Sequence, residues 1–158
     1  MTKQLVCVSL FSLLLTSSAC VDDESSDEIL TTDEAALSGG PWTWKHAATL
    51  GCLDSNWTGS VYQIACNTGS YQLWTNTPLA FGDEIRNRAT GRCLDSNANL
   101  HVYTLPCNGG AYQQWTVVRR GTSGFEIRNV ATGYCLDSNT NGSVYTHDCN
   151  DGTFQRWL

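Results

Sequence analysis

The feature that most constrains this chain is a threefold internal repeat. The pentapeptide CLDSN occurs at residues 52–56, 93–97 and 135–139, at periods of 41 and then 42 residues. A second cysteine follows the first in every copy, at Cys66, Cys107 and Cys149. Each repeat then ends on a Gln-x-Trp element, with the pairs Gln72 and Trp74, Gln113 and Trp115, and Gln155 and Trp157. We therefore expect three copies of one structural unit.

Short strands are the expected local structure of each unit. Apolar or aromatic segments such as CLD, SVYT and YQQW alternate with clusters of Asn, Gly and Ser, and no apolar pattern of helical period is long enough for a helix. About four strands per repeat follow, and three propeller blades would not close a ring of the usual four to eight. The pattern predicts an all-β fold, a β-trefoil of pseudo-threefold symmetry over residues 41–158. Its repeats are about 41–81, 82–123 and 124–158, and the Gln-x-Trp tryptophans meet in the shared core.

The first nineteen residues are predicted to be a signal peptide. Lys3 precedes an apolar run over residues 5–15, and small residues precede Cys20. The run is shorter than the roughly 20 residues that a membrane span needs. Cys20 stands where bacterial lipoproteins are cut and lipidated, although Ser17-Ser18-Ala19 also suits an ordinary signal peptidase. We expect a protein that is secreted, or lipid-anchored at the bacterial cell envelope with Cys20 as its membrane attachment.

Residues 20–40 are predicted to form an acidic flexible tether. They carry seven of the fifteen acids and no Lys or Arg, and they end in a Gly39-Gly40 pair. Without Lys3 and these acids, eight bases and eight acids remain, so the net charge of -6 belongs to the tether. Nucleic acid is not an expected partner, because the domain has no basic cluster in its sequence.

Three Gln-x-Trp elements, each preceded by Cys-Leu-Asp and a second cysteine, resemble the ricin B-chain-like lectins, also grouped as family 13 carbohydrate-binding modules. The resemblance covers residues 41–158 and implies glycan partners. It also implies the disulfides Cys52–Cys66, Cys93–Cys107 and Cys135–Cys149, which the threefold repetition favours as well. Each bridge would close a loop of about fifteen residues and contribute roughly 3 kcal/mol. No metal or other cofactor is expected, because no CxxC pair or His cluster has zinc spacing.

The resemblance implies that the aspartate of each CLDSN copy accepts two hydroxyls of one sugar ring. These residues are Asp54, Asp95 and Asp137, and an Asx-type turn cap is the alternative role for them. An aromatic platform for the sugar is usual two residues before the second cysteine, where this chain has Ile64, Leu105 and His147. Tyrosines stand four residues before it, at Tyr62, Tyr103 and Tyr145. Since strand side chains alternate, both positions share one face, so we predict these tyrosines and His147 as the platform.

A second departure from the family lies directly before Gln-x-Trp. The family commonly has an asparagine ligand there, whereas this chain has Tyr71, Tyr112 and Phe154. We therefore predict Asn67, Asn108 and Asn150 as the polar ligands. The glutamines and tryptophans of the Gln-x-Trp elements are predicted to be structural.

The three copies are not equivalent. Gly59 and Gly142 occupy a turn position that holds Leu100 in the middle copy, and His101 stands there beside it in place of serine. A turn that needs positive φ would be strained at Leu100. We rank the third site first, the first site second and the middle site last.

The predicted function is a monomeric lectin with up to three shallow, multivalent sites for galactose-type or xylan-like glycans. A trefoil scaffold that binds a protein or inhibits a protease is the alternative, and would act through one exposed loop rather than three similar sites. An enzyme is not expected, because His46, His101 and His147 occupy non-equivalent repeat positions and suggest no Ser-His-Asp or Cys-His set.

Overall fold

The computed structural model describes residues 39–158, so the predicted signal peptide, Cys20 and most of the acidic tether lie outside the described residues. Within this range the chain is built from eleven short strands. They are β1 (Gly39–Trp42), β2 (Cys52–Ser55), β3 (Val61–Ile64), β4 (Trp74–Pro78), β5 (Asp83–Asn87), β6 (Cys93–Ser96), β7 (Val102–Leu105), β8 (Gln114–Arg119), β9 (Phe125–Asn129), β10 (Cys135–Ser138) and β11 (Val144–His147).

Helical structure is restricted to single 3₁₀ turns in this part of the chain. They lie at Ser70–Gln72, Ala111–Gln113, Gly121–Ser123 and Thr153–Gln155. Between residues 39 and 158, no helix is long and apolar enough to cross a membrane. The all-β prediction is confirmed.

The middle repeat shows the predicted four strands, β5 to β8. In the other two repeats, one strand is reduced to isolated bridges, which pair Trp157 with both His46 and Phe125. These bridges bring the last residues of the chain between the first and third repeats. Strand β1 adds to the edge of β4 with Gly39 opposite Asn76, so strand structure begins two residues before the predicted domain start at residue 41.

Three hairpins of identical register cover one end of the fold. They are β2–β3, β6–β7 and β10–β11, and in each the cysteine of CLDSN pairs with the residue two before the second cysteine. We call them the cap hairpins. The hairpins β4–β5 and β8–β9 form the rest of the sheet and pair with each other through β5 and β8. One sequence pattern thus produces one local geometry three times, as the repeat requires.

The core is a cluster of fully buried apolar side chains from all three repeats. Trp74, Trp115 and Trp157 are each 0% exposed and belong to it. Each indole N–H donates to the carbonyl of the leucine in its own CLDSN copy, at 3.0, 3.0 and 3.1 Å. A buried indole needs such a partner, and this one ties the cap hairpin to the core.

The three predicted disulfides are present, Cys52–Cys66, Cys93–Cys107 and Cys135–Cys149. Two of these bridges lie close to a buried glutamate, Glu84 in the second repeat and Glu126 in the third. Metal ligation requires a thiolate, and a sulfur held in a disulfide does not provide one. The cysteines of these two clusters therefore crosslink the fold and do not offer thiolate ligands to a metal ion.

The tip of every cap hairpin has positive φ at one residue. The values are 93° at Gly59, 69° at Leu100 and 84° at Gly142, so the predicted strain at Leu100 is confirmed. At Gly142, a Cβ would also stand 2.7 Å from the backbone oxygen of Gln63. The turn at Gly142 therefore packs closely against the backbone of Gln63 in the first repeat.

We expect Gly142→Ala to lower the free energy of unfolding by about 1–2 kcal/mol more than Gly121→Ala does. Both glycines have positive φ, which an alanine tolerates poorly, but a Cβ at Gly121 would meet nothing within 4 Å. Urea denaturation of the two variants measures the difference. Equal losses would show that φ alone sets the cost, and that the turn does not press on the neighbouring repeat.

Candidate functional site

An aspartate faces a tyrosine in every cap hairpin. Asp54 pairs with Tyr62, Asp95 with Tyr103 and Asp137 with Tyr145, directly across the two strands. Directly opposed residues of an antiparallel pair project to the same face of the sheet. The aspartates are 4–5% exposed and the tyrosines are half-buried. The predicted carboxylate and the predicted platform are therefore neighbours three times over.

The glutamine of Gln-x-Trp fixes the carboxylate in two of the repeats. The Nε2 group of Gln113 donates to Oδ2 of Asp95, and that of Gln155 donates to Oδ2 of Asp137, both at 2.8 Å. The Oε1 atoms of the same amides accept the backbone N–H of Asn108 and Asn150. In the first repeat, Gln72 bonds the backbone of Asn67 and Ala65. The glutamines thus satisfy backbone groups, as predicted, and also orient a site residue.

The asparagines that follow the second cysteine are first of all turn formers. Oδ1 of Asn67, Asn108 and Asn150 accepts the backbone N–H of the glycine two residues on, at 2.7–2.8 Å. This is an Asx turn, which leaves the Nδ2 group of each side chain as the donor for a ligand. Their role as polar ligands stays a prediction, and the Nδ2 group is the donor that each side chain would offer.

A shallow cleft of about 260 Å³ brings the predicted residues of the second repeat together. Its lining consists of Asp95, Ser96, Asn97, Tyr103, Asn108, Gly110 and Tyr112. Carboxylate, amide and aromatic groups therefore converge on one concave surface, which is the usual composition of a small-molecule site. This cleft lies in the repeat that the sequence ranked last.

Four residues of the cleft, Ser96, Asn97, Gly110 and Tyr112, were not predicted for the site, and Tyr112 is the aromatic one among them. It stands directly before Gln-x-Trp, where the family commonly has an asparagine ligand. In the structure Tyr112 is 47% exposed and adds a second aromatic side chain beside Tyr103. Tyr71 and Phe154 hold the same repeat position and are exposed to similar extents. An aromatic residue at this position in all three copies was the available signal.

The third repeat differs in the use of its aromatic side chains. The ring of Phe154 lies 5.7 Å from the ring of buried His46. Phe154 therefore packs against a buried side chain as well as facing solvent. His147 ends β11 and is exposed, and alternation along the strand places it on the same face as Tyr145. Ile64 and Leu105 occupy the corresponding exposed positions of the other repeats. The third site thus keeps a ring at both predicted platform positions.

Burial dominates the electrostatics of these sites. It raises the pKa of Asp95, against hydrogen bonds from the Gln113 amide, the Ser96 backbone and the Tyr103 hydroxyl, which lower it. Burial, followed by the negative charge of the paired aspartate, raises the pKa of Tyr62, Tyr103 and Tyr145. The tyrosines therefore stay neutral beside their carboxylates, and can donate hydrogen bonds to them or to a ligand.

One buried carboxylate oxygen has no hydrogen-bond partner that meets the geometric criteria among the described residues. Oδ1 of Asp137 is buried and makes no hydrogen bond within residues 39–158, while Oδ2 is held by Gln155. A buried acceptor without a partner costs about 1–3 kcal/mol, and more when it is charged. A ligand hydroxyl that reached this oxygen would relieve that cost. The arrangement of a fixed carboxylate, an amide donor and exposed rings suits a polyhydroxylated ligand with an apolar face.

Three of the solved structures that share the fold of this chain illustrate the similarity. The first is a designed threefold symmetric protein named ThreeFoil, with a TM-score of 0.67 at 23% identity, covering 73% of this chain and 94% of that one. The second is 1,3Gal43A, an exo-β-1,3-galactanase from Clostridium thermocellum, with a TM-score of 0.67 at 20% identity over 74% of this chain. The third is a mosquitocidal holotoxin, with a TM-score of 0.70 at 18% identity over 78% of this chain.

The match covers 29% of the galactanase chain and 17% of the holotoxin chain, so this chain corresponds to a part of each. The similarities confirm the predicted β-trefoil. No curated protein matches the sequence. The model of one protein family, the ricin-type beta-trefoil lectin domain, does match, over residues 42–157. On that match and on this fold, the chain belongs to the ricin-type β-trefoil lectin family.

Proposed function

We propose that this protein is a secreted or surface-anchored lectin that binds glycans at up to three shallow sites. The observation that carries the proposal is the cleft in which Asp95, Tyr103 and Asn108 meet Tyr112. Ricin-type lectin domains are carbohydrate-binding domains without catalytic function, so the family and the cleft support the same conclusion.

The carboxylate is the specific element of the site. An ionised Asp95 can accept hydrogen bonds from two hydroxyls of one ring, and charge-assisted bonds of this kind are stronger than neutral ones. Gln113 already holds Oδ2, so little side-chain freedom is lost when the sugar arrives. The geometry of the carboxylate would then select the hydroxyl arrangement of the sugar.

The two tyrosines provide the apolar contact. One face of many pyranose rings carries mainly C–H groups, and burial of such a face on an aromatic ring is favourable. Tyr103 lies on the strand opposite Asp95, whereas Tyr112 comes from the 3₁₀ turn before Gln113. A sugar held between them would contact rings from two separate elements.

The expected ligands are galactose-type or xylan-like glycans that repeat along a chain or a surface. A monosaccharide bound by one carboxylate and one or two aromatic rings would have a dissociation constant near millimolar. This corresponds to a binding free energy of about 4 kcal/mol in magnitude. Linked sites can increase the overall affinity by roughly 10² to 10⁴ when several are engaged together. One monomer with three lobes provides that multivalency, and the acidic tether would hold it away from the envelope.

Changing Asp54, Asp95 and Asp137 together to Asn should abolish binding on a glycan array while the fold persists. The amide keeps the shape and one acceptor but loses the charge and half of the acceptor capacity. Asp83→Asn is the matched control, because Asp83 is equally buried, burial raises its pKa, and it lies outside the three pairs. Array signal that survives in the triple variant would place the binding elsewhere.

Tyr112→Ala should weaken binding in a second-site-only protein, the variant that carries Asp54→Asn and Asp137→Asn. Loss of one aromatic contact is expected to reduce the affinity about tenfold, which corresponds to about 1.4 kcal/mol. Tyr112→Phe keeps the ring and should cost less than threefold. Calorimetric titration with the best array ligand measures both. Unchanged affinity in the alanine variant would remove Tyr112 from the site.

Binding at the second site should weaken on acidification, with a midpoint above the ordinary aspartate pKa of about 3.9. Burial raises the pKa of Asp95, so its carboxyl protonates at a higher pH than an exposed aspartate would. The protonated form loses acceptor capacity, and affinity falls as pH falls. Titrations of the second-site-only protein between pH 7 and 4 measure this, with circular dichroism to show that it stays folded. Affinity that is constant or rises toward pH 4 would contradict the role of Asp95.

A further inference from the structure

The tip of each cap hairpin lies against the site tyrosine of another repeat. Isolated bridges pair Ser60 with Tyr103, His101 with Tyr145, and Ser143 with Tyr62. The first member of each pair comes from the turn of one repeat, and the second is the predicted platform of the next repeat around the threefold axis. Every Asp–Tyr pair therefore has a third residue beside it that its own repeat does not supply.

The geometry of these bridges brings side chains close together. The backbone N–H of Thr146 donates to the carbonyl of Leu100 at 2.9 Å, so the hydrogen bond joins the residues adjacent to His101 and Tyr145. The bridged residues themselves then form a non-hydrogen-bonded pair, in which opposite side chains approach most closely and share a face. The imidazole of His101 thus stands on the same face as the ring of Tyr145.

A continuous row of three side chains results in each site. Asp137, Tyr145 and His101 follow one another across β10, β11 and the turn of the second repeat, and their exposure increases in that order. Two strand spacings separate the ends of the row, roughly 10 Å. A single pyranose ring that contacts Asp137 does not span that distance, whereas two linked units do.

His101 is the member that makes the third row different. The other two rows end in serines, Ser60 and Ser143, with one short hydroxyl each. An imidazole reaches farther, offers a flat ring, and both donates and accepts hydrogen bonds. Within the sequence His101 belongs to the second repeat, but its position in the fold is at the edge of the third site.

We propose that His101 of the second repeat completes the third sugar site as a subsite for the second unit of a disaccharide or longer glycan. This inference rests on the proposed function of the Asp137–Tyr145 pair as the first subsite. The third site would then prefer oligosaccharides over monosaccharides, and the other two sites would show less of that preference.

The test compares two single-site proteins, each with and without His101→Ser. The third-site-only protein carries Asp54→Asn and Asp95→Asn, and the second-site-only protein is the one defined above. Lactose and xylobiose serve as disaccharide probes, and methyl β-galactoside and methyl β-xyloside serve as monosaccharide probes, in calorimetric or NMR titrations. Serine is the residue of the other two copies at this position, so the variant should fold, and thermal unfolding checks that it does.

His101→Ser should reduce disaccharide affinity about tenfold in the third-site-only protein and change monosaccharide affinity less than twofold. The second-site-only protein should be unaffected. The reverse change, Ser60→His in the second-site-only protein, should raise its disaccharide affinity, because Ser60 holds the same place beside Tyr103.

Three results would overturn the inference while the proposed function stands. A loss in the second-site-only protein would show that His101 serves its own repeat. Equal losses for monosaccharides and disaccharides would show that it only supports Tyr145, and no loss in either protein would show that it does not contact the sugar. If neither parent single-site protein binds any of the four probes or any arrayed glycan, the proposed function itself fails.

Discussion

The arrangement of the second and third sites depends on one hydrogen-bonded amide in each of these two repeats. In Gln113 and Gln155, this amide joins the loop after the second cysteine, through an asparagine N–H, to the carboxylate of the facing aspartate. Two residues farther on, the tryptophan is buried in the shared core and bonds the leucine that precedes the same aspartate. Carboxylate and core are therefore connected through two short routes. These bonds hold the aspartate carboxylate in a fixed position relative to the rigid core. A weak, shallow site needs such a fixed group in order to discriminate between hydroxyl arrangements.

The repeats also differ at the position of a second buried side chain, which contacts the turn before Gln-x-Trp. His46 of the first repeat takes the place of Asn87 and Asn129 in the other two, and all three are fully buried. Its Nε2 donates to the carbonyl of Phe154, as the amides of Asn87 and Asn129 donate to the carbonyls of Tyr71 and Tyr112. The larger imidazole also contacts the ring of Phe154. Phe154 therefore packs against the first repeat, whereas its counterpart in the second repeat, Tyr112, lines the cleft.

Most of the fold could be predicted from the sequence, because repetition and strand alternation are local signals. The strands follow from alternation within one repeat, and the disulfides from the threefold repetition and the family resemblance. The sequence also predicts Asp137 and Tyr145 for the same site, and the hairpin places them opposite each other. Two features of the sites cannot be predicted in this way. Tyr112 was interpreted through the ligand that it replaces, and its approach to Tyr103 depends on how the 3₁₀ turn packs on the hairpin. The pairing of His101 with Tyr145 joins two repeats, and no spacing within a single repeat contains it. The predicted order of the three sites considers each repeat by itself, whereas the tip of each cap hairpin lies against a tyrosine of another repeat.

The strained turn of the second repeat follows from the same connection between repeats. Leu100 adopts positive φ, a conformation that costs a residue with a Cβ about 1–2 kcal/mol. Its carbonyl accepts the N–H of Thr146, just as the carbonyls of Gly59 and Gly142 accept backbone N–H groups of the repeats beside them. The turn is therefore held in place by a neighbouring repeat rather than by its own residue preferences, and a leucine is tolerated. Because each turn touches the platform of the next site, a substitution at a hairpin tip alters a site other than the one whose repeat it belongs to. Binding preferences can then diverge among the three sites without any change to an aspartate or a tyrosine.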